Sequence, residues 1–397
     1  MKAVILLAGK GTRMQPLTAT CPKVMLPVAN RPILEHIVAA GVQAGLEGFV
    51  FITGYQEKQI KEYFGDGSRW GLEIDYVRQE KQLGTANAIG CARNYVKGPF
   101  LVLNGDMLVS AGDIKAFVSR KEEAVIGVKE VENPKAFGVL KTEGNKVIKI
   151  LEKPKNPPTK LANAGIYLFR DSIFDSIDRT ELSVRGELEI TTSLQLLIEE
   201  GATVGYSSLK TEWIDIGYPW DLLKANEYLL QGLKSRCEGR VEPNATLKGE
   251  VVLGKGTLIR NGAYIQGPVI IGENCDIGPN CFIRPSTAIG NNVRVGNAVE
   301  LKNTIVMDDT NVGHLSYVGD SVIGRRCNFG AGTKVANLRH DGKNVKVWLK
   351  EKWLDSGRRK LGVIMGDDVH TGINTSLNTG VILEQGRGTR PGEVILR

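Results

Sequence analysis

The sequence predicts two folds in one chain: an α/β domain on a mostly parallel sheet, then an all-β domain wound as a parallel β-helix. Residues 1–218 alternate short β-rich runs with helical patterns. From Val241 onward an aliphatic residue returns every six positions. The chain holds 47 glycines in 397 residues, more than average usage, and a repeat that turns a corner at every pass explains the excess.

In the first part, the β-rich runs are 2–7, 48–53, 72–77, 100–103 and 124–129. Residues 32–44 place Ile33, Ile37 and Ala40 on one helical face, and Pro32 suits a first helical turn. This β-α-β-α order implies a Rossmann-like sheet covered by helices, with ligands beyond the carboxyl ends of its strands. Residues 219–234 read as an amphipathic helix, with Leu222, Asn226, Leu229 and Leu233 at helical spacing. The expected division is therefore 1–218, a linking helix at 219–239, and a coil domain at 240–397.

The coil row runs Val241, Leu247, Leu253, Ile259, Ile265, Ile271, Ile277, Ile283, Ile289, Val295, Leu301 and Met307. The register then slips, resuming at Tyr317, Ile323, Phe329 and Val335 and again at Met365, Thr371, Leu377 and Leu383. A period of six fits neither a helix nor an alternating strand. Three such hexapeptides make one triangular coil with the aliphatic residue inward. Residues 338–361 interrupt the row and are rich in Lys and Arg, Lys350 and Arg358 among them. They read as a loop leaving the coil, either a solvated face or a contact for phosphate or coenzyme A.

Hydrophobic residues at 42% and charged residues at 24% support folded cores rather than disorder. The net charge of +7 suits small anionic substrates, and no Lys/Arg run marks a nucleic-acid footprint. The six cysteines form no C-x-x-C pair, which argues against a zinc ribbon or disulfide scaffold; Cys275 and Cys281 are expected to stack in neighbouring coils. The apolar run 3–8 is too short for a signal peptide, and no stretch of about 18 apolar residues exists, so a cytoplasmic protein without membrane contact is expected.

After the first strand comes Leu7-Ala8-Gly9-Lys10-Gly11-Thr12-Arg13-Met14-Gln15-Pro16-Leu17-Thr18, then Pro22-Lys23. Glycines there let backbone N–H groups approach phosphate oxygens, and Arg13 and Lys23 add positive charge. The string is neither a Walker A loop nor the dinucleotide-binding fingerprint. It closely resembles the opening signature of sugar-1-phosphate nucleotidylyltransferases. Further matches follow in order: Gln79, Gln82-Leu83-Gly84-Thr85-Ala86, Asn104-Gly105-Asp106, Phe137-Gly138-Val139, Glu152-Lys153-Pro154, Asn163-Ala164-Gly165-Ile166-Tyr167 and Trp213-Ile214-Asp215-Ile216-Gly217.

The resemblance implies that Leu6, Leu7, Ala8, Gly9, Gly11 and Thr12 hold a nucleoside triphosphate, UTP or dTTP. It gives Gln79, Gly84 and Thr85 to the nucleobase and its surroundings. Arg13 and Lys23 offset phosphate charge, and Gly138, Glu152 and Asn163 line a sugar pocket. Asp106 and Asp215 hold Mg²⁺. The implied chemistry is attack of a sugar phosphate oxygen on the α-phosphorus, run by positioning and electrostatics.

In the coil, Ile283-Arg284-Pro285, Val299-Glu300-Leu301-Lys302, the run from Gly313-His314 through Tyr317 to Asp320, Asn328-Phe329-Gly330-Ala331 and Ala336-Asn337 are similar to the bifunctional enzymes that make UDP-N-acetylglucosamine. Those pair a uridylyltransferase with an amino-sugar-1-phosphate N-acetyltransferase on a left-handed β-helix. The stretch at 356–362 resembles their archaeal-type branch. Acetyl transfer from acetyl-CoA needs a base near pH 7, and His314 is the candidate. The resemblance gives Arg284 and Lys302 to the sugar 1-phosphate, and Tyr317 and Asn328 to the sugar. Asn337 binds substrate or polarises the carbonyl, and Ala331 lies on the coenzyme A arm. His36, His340 and His370 match nothing. Leu338 stands where the family pattern has an aromatic residue and Ile373 where it has a small polar one, which leaves glucosamine and galactosamine 1-phosphates open as acceptors. The resemblance further implies a homotrimer formed through the β-helix. The rival expectation is a glucose-1-phosphate thymidylyltransferase or mannose-1-phosphate guanylyltransferase whose coil serves only assembly or regulation.

Overall fold

The computed structural model describes residues 1–397. The chain separates into two compact units. One comprises Met1–Lys10 with Ile33–Asp215, the other Gly11–Pro32 with Ile216–Arg397. No helix is long and apolar enough to cross a membrane.

The first unit is built on a nine-stranded sheet. Its order is Glu73–Arg78, Gly48–Thr53, Lys2–Leu6, Phe100–Asn104, Leu161–Phe169, Ala124–Glu130, Val204–Ser208, Lys146–Leu151 and Val139–Glu143. The first four strands are mutually parallel. Leu161–Phe169 then runs antiparallel to both its neighbours. Every residue of Gly48–Thr53 is buried, as expected of a strand covered on both faces. The predicted strands appear within a residue or so of their expected ends. The helix begins at Ile33, because Pro32 is used in a short antiparallel pairing with Pro27. A separate two-stranded ladder sets Ile214–Asp215 against Met107–Leu108.

The second unit is a parallel β-helix of three stacked sheets with eight, six and eight strands. The hexapeptide row is its interior. Leu253 pairs with Ile271, Ile259 with Ile277, and Ile265 with Ile283, and all six side chains are essentially buried. Each such burial stabilises the fold by about 1.5–3 kcal/mol. Asn274, Asn280 and Asn292 turn corners in the left-handed region, at φ 55, 51 and 56. Asn tolerates that conformation because its short side chain bonds locally.

Two register expectations need correction. Ile289 pairs with Val306, not Met307, so that coil is one residue short. Leu301 pairs with Val318, which puts Val318 inside and Tyr317 on the outer face. A contracted coil keeps an aliphatic residue inward while shifting every later neighbour by one, which the six-residue count could not show. Cys275 and Cys281 are buried on successive faces of one coil rather than stacked between coils: each precedes a strand of a different sheet.

The interruption at 338–361 is more ordered than a loop. It contains an antiparallel hairpin, Lys346–Leu349 with Lys352–Asp355. Val345 and Val347 are fully buried beside Gly380, and Trp348 and Trp353 pair on the outer side with ring centroids 5.4 Å apart.

Gly11–Pro32 folds with the coil. Thr20 Oγ1 donates to Asp367 at 2.7 Å, and Asn30 Nδ2 donates to the carbonyl of Ile289 at 2.6 Å. Asn226, fully buried on the helix Asp221–Gln231, accepts from the Ala29 N–H at 2.9 Å and donates to the Ser286 carbonyl at 2.8 Å.

Candidate active sites

Asp106 lies just past the carboxyl end of Phe100–Asn104, whose neighbour is the opening strand. Gly105 donates its N–H to the Leu6 carbonyl at 3.1 Å, which fixes that turn beside Leu6, Leu7 and Ala8. Asp215 pairs with Met107 in the two-stranded ladder, so Asp106 and Asp215 stand at adjoining positions on neighbouring backbones. Two half-buried carboxylates are a fitting set for Mg²⁺, which takes one or two protein carboxylates and fills its other positions with phosphates and water. No cluster of three or more His, Cys, Asp or Glu side chains forms a self-sufficient metal cage.

A second group forms along Leu161–Phe169. A Cβ at Gly138 would lie 3.1 Å from Glu152 Oε2 and 3.5 Å from the Asn163 Cβ, so these three converge. Asn163 is locked, donating to the Tyr167 hydroxyl at 2.7 Å and accepting from the Gly165 N–H at 3.1 Å. Gly165 has φ +73, and a Cβ there would sit 2.2 Å from Asn104 Nδ2. Only glycine lets the two strands approach this closely at that φ.

Sequence reasoning gave no role to Arg185 and Lys153, yet both surround Glu152. Arg185 Nη1 is 3.2 Å and Lys153 Nζ 3.4 Å from Glu152 Oε1. The Glu152-Lys153-Pro154 match was a signal for Lys153; nothing in the sequence singled out Arg185. Trp213, quoted in a matching string without a role, has a buried indole N–H with no partner, and its ring meets Phe137 edge-on at 5.3 Å.

Gln79 is buried and donates to the Gly84 carbonyl at 3.2 Å and to Asn87 Oδ1 at 2.8 Å. Gly84 passes so close to Leu188 that a Cβ would be 2.5 Å from its carbonyl oxygen. Thr85 Oγ1 accepts from the Ile190 N–H at 3.0 Å. Around Gly9 there is open space.

Within the second unit, the buried Lys23 runs its aliphatic stem past Gly11, and Thr18 donates to the Gly11 carbonyl at 2.9 Å. Arg13 is exposed, with its guanidinium 5.4 Å from the Tyr218 ring centre. Asp221 accepts from the Gly217 and Tyr218 N–H groups at 2.9 and 2.7 Å. Burial pushes its carboxyl above the ordinary range.

The coil residues fall into two groups. On the outer side of one eight-stranded sheet, Phe282, Glu300 and Tyr317 stack one above another. Arg284 pairs with Glu300 at 2.8 Å. Asn337 Nδ2 donates to the Tyr317 hydroxyl at 3.0 Å and to Asp320 Oδ2 at 2.6 Å, and Lys302 Nζ lies 3.3 Å from the same oxygen. Asn303 bridges Asp320 Oδ1 to Glu227 on the connecting helix, both at 2.8 Å, and Arg358 reaches Glu227 at 2.6 Å. Burial, then the charges of Asp320 and Glu300, raise the Tyr317 phenol above its usual value, so it stays a neutral hydroxyl. Asp320, quoted in the matching run without a role, is the hub of this group.

Asn328 belongs elsewhere, and His314 stands between the two groups. They line a groove of about 800 Å³ with Arg260, Arg294 and Asn311, and Asn328 projects from the six-stranded sheet. His314 turns the corner between the two sheets, and Gly332 beside Ala331 donates to its carbonyl at 2.9 Å. One chain therefore brings Arg284, Lys302, Tyr317 and Asn337 together, and puts Asn328 on another face of the prism. Leu338 and Ile373 are both half exposed.

This fold, an α/β sheet with two carboxylates beyond its strand ends followed by a parallel β-helix, is that of a two-part transferase. Residues 2–232 match the nucleotidyl transferase family, and residues 265–387 match the GMPPB C-terminal domain. The chain belongs to the bifunctional sugar-1-phosphate nucleotidylyltransferase/acetyltransferase family. It is 44% identical, over 96% of its length and 91% of the relative's, to the bifunctional protein GlmU of Methanocaldococcus jannaschii. It is 40% identical, over 100% and 98% of the two chains, to a bifunctional sugar-1-phosphate nucleotidylyltransferase/acetyltransferase of Sulfurisphaera tokodaii. Among solved structures it resembles a putative glucose-1-phosphate thymidylyltransferase from Bacillus anthracis, at 31% identity and TM-score 0.54, over 60% of this chain and 98% of that one.

Proposed function

We propose that the chain transfers a nucleoside monophosphate from UTP or dTTP to a sugar 1-phosphate such as N-acetylglucosamine 1-phosphate, releasing pyrophosphate. It also acetylates an amino-sugar 1-phosphate from acetyl-CoA. The pairing of Asp215 beside Asp106 carries the first reading.

The sugar phosphate oxygen bonds to the α-phosphorus as the bond to pyrophosphate breaks on the opposite side. Both reactants are anions, so charge must be offset. Arg13 and Lys23 do this for the triphosphate, with Gly9, Gly11 and Thr12 beside them. Gln79, Gly84 and Thr85 hold the base. Gly138, Glu152 and Asn163 hold the sugar, and Arg185 and Lys153 bring positive charge to that pocket. Asp106 and Asp215 would hold Mg²⁺, which would offset the charge on the phosphates there.

In the coil, the acceptor amine attacks the thioester carbonyl, His314 takes the amine proton and passes it to the departing thiolate, and coenzyme A leaves as the thiol. Arg284 and Lys302 bind the sugar's phosphate, and Tyr317 its ring. Both Asn337 amide hydrogens are already used, on Tyr317 and Asp320. Its free oxygen suits accepting a hydrogen bond from the acceptor's amine better than polarising a carbonyl. Asn328 and Ala331 complete the site from the partner of a homotrimer.

The test is pyrophosphate release from UTP with N-acetylglucosamine 1-phosphate, and coenzyme A release from acetyl-CoA with glucosamine 1-phosphate. Asp106→Ala is expected to abolish the first and spare the second. Nucleotidyl transfer without any coenzyme A release would reduce the coil to a scaffold.

A further inference from the structure

The hairpin that interrupts the coil ends in a two-residue turn, Lys350-Glu351, with both residues left-handed at φ 49 and 59. Its tip is placed by a rigid base. Val345 and Val347 are buried, and Val345 exchanges backbone hydrogen bonds with Ser356 and Arg358 at 3.1 and 2.8 Å. Arg358 is pinned to Glu227 on the connecting helix. The Trp348–Trp353 pair stiffens the strands between base and tip.

At the tip, Lys350 Nζ donates to Thr12 Oγ1 at 2.6 Å. Thr12 lies between Gly11 and Arg13, in the segment that folds with the coil. The hydrogen bond to Thr12 is the one polar contact of the Lys350 ammonium, which makes no ion pair. An ammonium has three donors, so two remain after Thr12. Phosphate oxygens are stronger acceptors than a hydroxyl, because the bond is then charged at both ends.

We propose that Lys350, delivered by the coil's hairpin, is a third cation for the triphosphate of the nucleotide substrate, beside Arg13 and Lys23. This rests on the reading that the Gly11–Arg13 turn binds that triphosphate. Arg13 faces Tyr218 and Lys23 is buried against Gly11, so both are held by their surroundings. Lys350 alone reaches this turn on a separate element. It binds the phosphates and takes no proton in the reaction.

The test uses the full chain with Lys350→Ala and Lys350→Arg. Steady-state rates are taken against UTP and against N-acetylglucosamine 1-phosphate, with inorganic pyrophosphate and uridine monophosphate as inhibitors. Coenzyme A release serves as the folding control. Lys350→Ala is expected to raise the KM for UTP and the inhibition constant of pyrophosphate about tenfold, the scale of one lost charge-assisted contact at a partly exposed site. The sugar phosphate KM, inhibition by uridine monophosphate and coenzyme A release should stay as in the parent chain, and Lys350→Arg should restore UTP binding. An unchanged KM for UTP in Lys350→Ala overturns the inference. So does a loss shared by every substrate, which marks a structural residue. If the parent chain transfers no nucleotide at all, the reading of the first site fails, and the inference with it.

Discussion

Asn337 donates to Asp320 at 2.6 Å, and that carboxylate, 3% exposed, also holds Lys302 and Asn303. Removing it leaves the half-buried Lys302 ammonium without its ion pair and takes one acceptor from each of Asn337 and Asn303, which keep Tyr317 and Glu227. Asp320→Ala is expected to cost about 1–3 kcal/mol of coil stability, the range for taking the partner from half-buried polar groups. Urea unfolding measures this. Coenzyme A release should vanish while pyrophosphate release at ambient temperature persists; unaltered unfolding would show that Asp320 is no hub.

Gly165→Ala tests how Asn104 is placed. The added methyl would meet Asn104 Nδ2 at 2.2 Å, at a φ that alanine resists. The expected cost is about 1–3 kcal/mol, with a fall in nucleotidyl transfer because Asn104 is two residues from Asp106. Acetyl transfer should be unaffected. Equal loss of both activities would argue against a local effect.

Asn328 and Tyr317 occupy different faces, so the proposed acetyl-transfer site, which uses both, requires a second copy of the chain. Tyr317→Ala and Asn328→Ala chains should each lack acetyl transfer alone. Co-expressed as mixed trimers, they should regain part of it, since one interface then carries both intact faces. No recovery in verified mixed trimers would place the whole site within one chain.

Burial pushes the thiols of Cys281 and Cys327 up to about 12. In the unfolded chain they ionise near 9. Between those values the unfolded chain holds fewer protons at these sites, so the thiols' contribution to stability is constant below pH 9 and is lost as pH rises toward 12, by about 1.4 kcal/mol per pH unit per thiol. Thermal unfolding followed across that range should show the decline, and Cys281→Ala with Cys327→Ala should make it shallower, the buried Cys275 and Tyr167 keeping a share. A decline of equal slope in the double variant would assign it to other groups.

The repeat was legible because an interior lined by one residue in six leaves its period in the chain. Ile259, Ile265 and Ile271 announce three faces before any coordinates exist. The contractions before Val306 and Ile323 were not legible, since Val306 and Met307 are equally suited to an interior. The Asp106 and Asp215 positions were read from matching strings, but only the Met107–Asp215 pairing shows that distant segments adjoin. Arg185, Asn303 and Glu227 carried no signal. Each matters through a partner far off in sequence, and one chain does not reveal such partners. The attachment of Gly11–Pro32 to the coil was hidden likewise, because its hydrogen bonds come from ordinary residues such as Thr20 and Asn30.

That attachment limits how the repeat array can evolve. Solenoids commonly gain or lose whole turns, since each touches only its neighbours. Here the strap between Gly11 and Pro32 is fastened at Ile289 and again at Asp367, several turns apart. One inserted turn would move those anchors apart by about 4.8 Å, the spacing of adjacent strands. No strap of fixed length spans both arrangements, so the number of turns between the anchors is frozen while turns beyond Asp367 are free to vary.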